Sequence, residues 1–500
     1  MILKQASDPD SLFNAGLDAL NGGREGEAVT LMQRAVQAHP GDPRLWQVLG
    51  LAERKLDRLA PAMKALARAA ELAPGDALIA HALARATMEA GLPALDLFER
   101  ARRLAPADGT ILLGHAAAQV AQAGPDQAIA GIDALLVQHP GWIDGHALLS
   151  RLRYMWGERA DFTASIERAL AAAPRDLNLW RELIVTLLHA ELYERALEAI
   201  ARGRAAAGAN ILFDANEAIC FAELGDAARA DRQFAALGPS DDSTVTIRRV
   251  RHLLRSGRPA EAAALGEPLI GGPGEPLVWP YLAVAWRQTG DPRWQWLEDY
   301  ERFVRIVDLD GLPALDRLAE RLRALHNATH QPLDQSVRGG TQTDGPLFSR
   351  IEPEIQQLRA AVVAAVEDYA RALPPPLPGH PLLGPPRAPI RFAGSWSVRL
   401  RAQGHHSNHV HPAGWISSAL YVALPSGAER GAAPAGWLSL GQPQAELGLD
   451  LEPVRLVEPK PGRLVLFPST MWHGTVPFQD GERLTVAFDV AIPRLSAGRG

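Results

Sequence analysis

The sequence predicts a multidomain chain: an all-α array of helical hairpins followed by a mainly β domain. Three observations carry this prediction. Punctuation recurs in phase about every 34 residues through the first half of the chain, short alternating apolar runs take over from Ile390, and histidines cluster inside that alternating part. Five hundred residues also exceed one ordinary domain.

The repeat marks are small loop motifs: His39-Pro40-Gly41-Asp42, Ala73-Pro74-Gly75-Asp76, Ala105-Pro106-Ala107-Asp108, His139-Pro140-Gly141 and Ala173-Pro174-Arg175-Asp176. Gly208, Pro239 and Pro273 continue the register. Six residues after three of the marks stands a tryptophan (Trp46, Trp180, Trp279), and ten after most stands a small residue (Gly50, Ala84, Ala116, Ser150, Ala218, Ala283). Twelve before most stands alanine: Ala28, Ala62, Ala94, Ala128, Ala196, Ala227. Small residues at such places let two antiparallel helices approach, and the bulky apolar positions between them fill the gap. Each period therefore reads as one hairpin. Residues 7–295 resemble the tetratricopeptide repeat in period, in the bulky-then-small first helix and in the closing proline. That resemblance implies a solenoid whose inner face binds a protein or peptide. Pro93, Phe162 and Glu261-Ala262 interrupt the pattern locally, and Cys220, His81, His115, His146 and His189 within the array read as packing or surface residues.

Residues 296–327 read as a helical cap and linker, helical over 297–307 and 312–325. The Gly- and Pro-bearing stretch 331–348 lacks helical periodicity and reads as loop or short strands. An amphipathic helix is expected over 352–373, with Pro353 at a tolerated N-terminal place. The proline-dense 374–389 should be largely extended. Six strands without intervening helices follow, at 390–400, 414–423, 436–440, 455–458, 463–467 and 483–491, as in a β-sandwich or barrel.

Composition narrows the function. A net charge of -6 argues against a nucleic-acid partner, because phosphate binding needs clustered cations. The single cysteine, Cys220, excludes thiolate metal sites and internal disulfides, so any metal must use histidine and carboxylate. Met1–Asp8 has no apolar signal-peptide core, and no long uncharged apolar run occurs, so the expectation is a cytoplasmic protein without membrane association.

The chemistry-bearing residues lie in the β region. Gly404-His405-His406-Ser407-Asn408-His409-Val410-His411-Pro412 holds four histidines, and on an extended segment His409 and His411 point the same way. Further on, the apolar run at 463–467 leads to Trp472-His473, and Arg483-Leu484-Thr485 follows ten residues later. A late histidine followed by an arginine suits a metal beside a guanidinium that captures a carboxylate.

These motifs resemble the iron(II)- and 2-oxoglutarate-dependent oxygenases, more closely a bacterial and phage group of them. The match runs through Gly339-Gly340-Thr341-Gln342-Thr343, Ser395-Trp396, His409-Val410-His411-Pro412, Ser417 to Tyr421-Val422, Pro461-Gly462-Arg463-Leu464, Phe467-Pro468-Ser469, Trp472-His473 and Glu482-Arg483. Over 328–494 the resemblance implies a double-stranded β-helix (jelly-roll) domain, Fe(II) held by His409, His411 and His473, and 2-oxoglutarate held by Arg483 with Thr485. It implies no catalytic residue beyond the metal ligands. The reaction implied is hydroxylation of a C–H bond with O2, 2-oxoglutarate being decarboxylated to succinate and CO2. His411 stands where the superfamily has Asp or Glu, which raises the site's charge by one. Two alternatives stay open: a non-catalytic scaffold with a degenerate β domain, and a three-histidine dioxygenase without 2-oxoglutarate. The repeats point to a protein or peptide substrate.

Overall fold

The computed structural model describes residues 8–333 and 335–493. Ser7 and Arg494, the outer limits expected for the two domains, and the Met1–Ser7 part of the start lie outside the described residues. The chain forms two compact units, one of residues up to Ala134 with Asp344–Arg359, the other of Leu135–Thr343 with Ala360–Pro493.

The first unit is built of helices Pro9–Asn21, Glu25–Ala38, Pro43–Lys55, Leu59–Leu72, Ala77–Glu89, Leu95–Leu104 and Gly109–Ala123. The loop motifs explain their phase. Asp42, Asp76 and Asp108 each accept a backbone N–H at the start of the next helix, satisfying a donor the helix cannot. Trp46 Nε1 donates to the carbonyl of Pro40, 3.0 Å away, so the six-residue spacing ties the helix to its own turn. Gly50 is needed for contact, since a Cβ there would lie 2.5 Å from Leu66 Cγ. Within this unit Ile351 N donates to Ala90 O at 3.1 Å, docking the 344–359 segment.

The second unit continues the hairpins from Ile143–Met155 to Glu275–Thr289. Trp180 repeats the contact to Pro174 O at 2.9 Å, and His146 Nε2 takes the same role at Pro140 O, 3.0 Å. The alanines at the expected positions Ala128 and Ala196 are fully buried, but Ala227 is exposed and Ala230 takes its place. The interval from Gly208 to Pro239 is three residues short, which moves the packing position by the same amount.

Among the described residues, nine strands make the β part: β1 Arg305–Asp308, β2 Val337–Gln342, β3 Phe392–His406, β4 Gly414–Ala423, β5 Leu438–Leu440, β6 Arg455–Val457, β7 Arg463–Pro468, β8 His473–Thr475 and β9 Arg483–Ala491. One sheet has the order β1-β7-β4-β9-β3-β2 and the other β6-β5-β8, with every pairing antiparallel. This is a double-stranded β-helix domain after an all-α repeat array. Three expectations are corrected. Residues 305–308 are strand, not helix, because Ile306 and Val307 pair with Val465 and Leu464 at the sheet edge. His473 begins a strand instead of following one. The 374–389 stretch is not wholly extended: Gly384 N donates to His380 O, folding the segment so that His380 Nε2 reaches Trp296 O at 2.9 Å.

The last hairpin and the β domain share a core. Trp472 packs among Val278, Trp279, Leu282 and Trp286, and its Nε1 donates to Pro280 O at 3.0 Å. Arg287 donates to the carbonyls of Gly441 and Glu452, each at 2.8 Å. Among the described residues, no helix is long and apolar enough to cross a membrane.

Candidate metal centre

Two backbone hydrogen bonds bring the first pair of histidines together. His409 N donates to His473 O at 2.9 Å and His473 N returns to His409 O at 3.0 Å, bridging the histidine-rich loop to β8. This close approach requires Gly474, where any Cβ would strike Asn408 Oδ1. His411 N donates to Ser469 O at 3.1 Å, which pins the other end of the loop. As a result one ligand atom from each of His409, His411 and His473 falls within 4.8 Å of the others, the one such group of three among the described residues.

Hydrogen bonding sets each tautomer. His409 Nδ1 lies 2.8 Å from Ser407 O, His473 Nδ1 3.0 Å from Met471 O, and His411 Nδ1 2.5 Å from Asp489 Oδ2. Carbonyl and carboxylate oxygens only accept, so each Nδ1 carries a proton, and in the neutral ring Nε2 is then the nitrogen with the free lone pair. Burial pushes the pKa of His409 down to about 3 and that of His473 well below its ordinary value, favouring neutral imidazoles. Neutral, oriented imidazoles are what a first-row metal ion takes from a protein.

Arg483 is 2% exposed and lines the same cavity, of about 50 Å³, as the three histidines. It does not pair with its neighbour Glu482, whose carboxylate is taken by Arg323 at 2.7 Å and Arg399 at 2.5 Å. The Arg483 guanidinium stands over the Tyr421 ring at 5.1 Å, and both Arg483 Nε and Tyr421 Oη are buried without a hydrogen-bond partner. Burial holds the Arg483 pKa below the usual guanidinium value. A buried cation with an idle donor costs free energy unless a ligand supplies the acceptor. Thr485 lines the cavity on the same strand face, as two-residue alternation from Arg483 requires.

Four groups here escaped the sequence reading. Asp489 holds His411 through one oxygen and accepts from Ser417 Oγ at 2.6 Å through the other. The carboxylate that the HxH motif lacks is therefore present one residue further out, and it offsets the extra charge of a third imidazole. Period-two counting from Arg483 through Thr485 and Ala487 reaches Asp489, and all four line the cavity. Ser336 Oγ bridges His406 Nδ1 at 3.0 Å and His409 Nε2 at 3.2 Å, and Trp396 stacks on His411 at 5.6 Å between ring centres. No local signal marks Ser336 as part of the site, whereas His406 stands inside the four-histidine cluster without a role that its spacing assigns. Ser417 and Asn408 are structural partners: Ser417 donates to Asp489, and Asn408 Nδ2 donates to Pro443 O at 3.2 Å.

Residues 394–489 match the family described as "Putative 2OG-Fe(II) oxygenase". No curated protein matches the chain. Solved structures similar to its helical part include a Thermobaculum terrenum O-GlcNAc transferase mutant, 19% identical with 27% of each chain covered and a TM-score of 0.25. YrrB, a TPR protein with an unusual peptide-binding site, is 14% identical over 36% of this chain and 93% of its own, TM-score 0.29. A thermophilic TPR protein of Thermus thermophilus is 20% identical over 39% of this chain and all of its own, TM-score 0.27. The repeat architecture rests on the phased hairpins themselves.

Proposed function

We propose that the chain is an Fe(II)- and 2-oxoglutarate-dependent oxygenase that hydroxylates a protein or peptide recruited by its repeats. The observation that carries the reading is Arg483, a buried guanidinium with an idle Nε donor and no carboxylate partner among the described residues, which lines the cavity of the three-imidazole cluster.

His409, His411 and His473 would hold the metal through Nε2. Fe(II) bound there supplies O2 activation, with 2-oxoglutarate as the two-electron reductant. Everything else is the work of this chain. Ser407 O, Met471 O and Asp489 accept from Nδ1, so they hold the imidazoles in orientation and leave Nε2 as the ligand atom of the neutral rings. Asp489 adds a negative charge beside His411, so the site as a whole has the charge of two histidines and a carboxylate. Arg483 offers donors to the far carboxylate of a dicarboxylic acid, and Thr485 lines the same cavity beside it.

A non-catalytic scaffold has no use for a buried charge without a partner, and a three-histidine dioxygenase without co-substrate has none for Arg483. Anaerobic Fe(II) titration with and without 2-oxoglutarate tests the reading. The expected result is one Fe(II) per chain and a weak visible charge-transfer band only when both are present. Iron binding without the band on adding 2-oxoglutarate would overturn the co-substrate, and no iron binding would overturn the oxygenase.

A further inference from the structure

The inner cavity opens into a second, larger space in the same compact unit, a groove of about 840 Å³. The two share Gln335, Ser336, Trp396, His409, His411 and Asp489, so the groove begins at the metal centre. Its opposite wall is not β structure. It is made by repeat residues, among them Tyr154, Arg159, Tyr193, Arg248 and Arg251. Arg338 of β2 crosses to Glu191 of the repeats at 2.7 Å, tying the two walls together.

The charge on the repeat wall is unbalanced. Glu223 is gripped by Arg251 at 2.7 and 2.9 Å and is also the carboxylate nearest Arg248, at 3.4 Å, and Arg255, at 3.5 Å. One carboxylate thus faces three guanidinium groups. Arg159 is exposed, lies over the Tyr154 ring at 4.8 Å, and pairs with no carboxylate among the described residues. Of the acidic residues lining the groove, Glu191 is engaged by Arg338 and Asp489 by His411, which leaves Glu446 on the β side. The repeat wall is therefore cationic and aromatic, with the β wall carrying the metal site.

We infer that this groove is the substrate site and that it takes an extended polypeptide segment bearing acidic side chains, with Arg159 and Arg248 facing its carboxylates. The inference deepens the oxygenase reading and depends on it for the reaction, though not for the binding. A chain laid from the metal centre along the repeats would place one residue at the iron and its acidic neighbours against the guanidinium groups, where bidentate pairing gives register. Tyr154, Tyr193 and Trp396 offer flat faces for the intervening side chains. A phosphate backbone is disfavoured by the few free cations and the net charge of -6.

The test uses the full chain with Fe(II) and 2-oxoglutarate, without oxygen, and fluorescence anisotropy with two length-matched labelled peptides that differ only in carrying Glu or Lys at alternate positions. The Glu peptide should bind, more weakly as salt is raised, and the Lys peptide should not. Arg159→Gln should weaken binding several-fold, and Arg159→Gln with Arg248→Gln by about tenfold or more. Arg159 is exposed, so its single variant keeps the test valid even if the double variant misfolds. Equal binding of the two peptides, undiminished affinity in the Arg159 variant, or equally tight binding of an oligonucleotide of matched charge would overturn the inference. Peptide binding without the iron band in the wild-type chain would sink the oxygenase reading alone, and the band without peptide selectivity would sink this inference alone.

Discussion

In the repeats of the second unit Arg251 is nearly as buried as Arg483 in the β domain, yet the two are held differently. Arg251 meets Glu223 in a two-pronged pair, whereas Arg483 lies over Tyr421 with Nε idle and no carboxylate partner. The histidines divide in the same way. His146 of the repeats spends both ring nitrogens, on Ser165 Oγ at 2.9 Å and Pro140 O at 3.0 Å, so its ring is part of the frame. In the β domain His409, His411 and His473 each spend Nδ1 on orientation and bring one ligand atom each within 4.8 Å of the others, with the Ser336 hydroxyl 3.2 Å from His409 Nε2. Burial alone therefore does not separate a structural polar group from a functional one. What separates them is whether its hydrogen-bonding capacity is used up by the fold or left for a ligand.

This contrast can be broken most directly at His473. His473→Ala should abolish Fe(II) binding or lower it by more than a hundredfold, since a three-imidazole site has no spare donor of equal strength. Metal analysis of the purified variant is the check, and iron content equal to the wild type would end the ligand assignment. His146→Ala should leave iron content unchanged.

The two arginines should respond in opposite directions. Arg483→Met should weaken 2-oxoglutarate binding by about 2–5 kcal/mol at unchanged iron stoichiometry, the range for truncating one side of a buried charge pair. It should also stabilise the ligand-free fold by about 1–3 kcal/mol, because an uncompensated buried charge is removed. Arg251→Met should instead destabilise the fold by about 3 kcal/mol, leaving Glu223 with only the weaker company of Arg248 and Arg255. Calorimetric titration and denaturant unfolding read the two effects, and a stability loss of equal size in both variants would erase the distinction.

Asp489→Asn sharpens the comparison within the metal centre. The amide keeps the shape but removes the charge from the His411 Nδ1 contact, so Fe(II) affinity should fall about 10- to 100-fold. An unchanged dissociation constant would show that Asp489 only fills space.

The smallest effect belongs to a β-domain neighbour that behaves like a repeat histidine. His326 spends both nitrogens, on Thr341 Oγ1 at 2.8 Å and Ser397 Oγ at 3.1 Å, and burial lowers its pKa from 6.5 to about 4. Between these values the unfolded chain binds the proton more readily than the folded one, so stability is lost as pH falls from about 6.5 toward 4. Lowering the pH from 7 to 5 should cost about 1–2 kcal/mol through this residue. Unfolding midpoints of His326→Gln at the two pH values should lose that much of the difference, and an unaltered pH dependence would remove His326 as its source.

Much of the architecture was legible because it is written locally. The hairpin phase shows in Pro40, Pro74 and their successors since each turn caps and ties its own helix through residues two and six places away. His409, His411, His473 and Arg483 stand out through alternation and order along the chain. Strand β1 was missed because Arg305–Asp308 is strand only by virtue of its partner, Arg463–Leu466, more than 150 residues on. Asp489 stood within reach of the same period-two count that picked out Thr485, but nothing local says that it faces His411 across the barrel. The phased turns, the histidine motif and the arginine were thus determined by the sequence on its own, since they depend on near-neighbour geometry and residue chemistry. The carboxylate behind His411, the serine bridging His406 and His409, the idle donor on Arg483 and the cationic wall facing the metal centre were decided only by tertiary structure. Each depends on where strands and repeats distant in sequence come to rest against one another, and that is set by the packing of the whole unit.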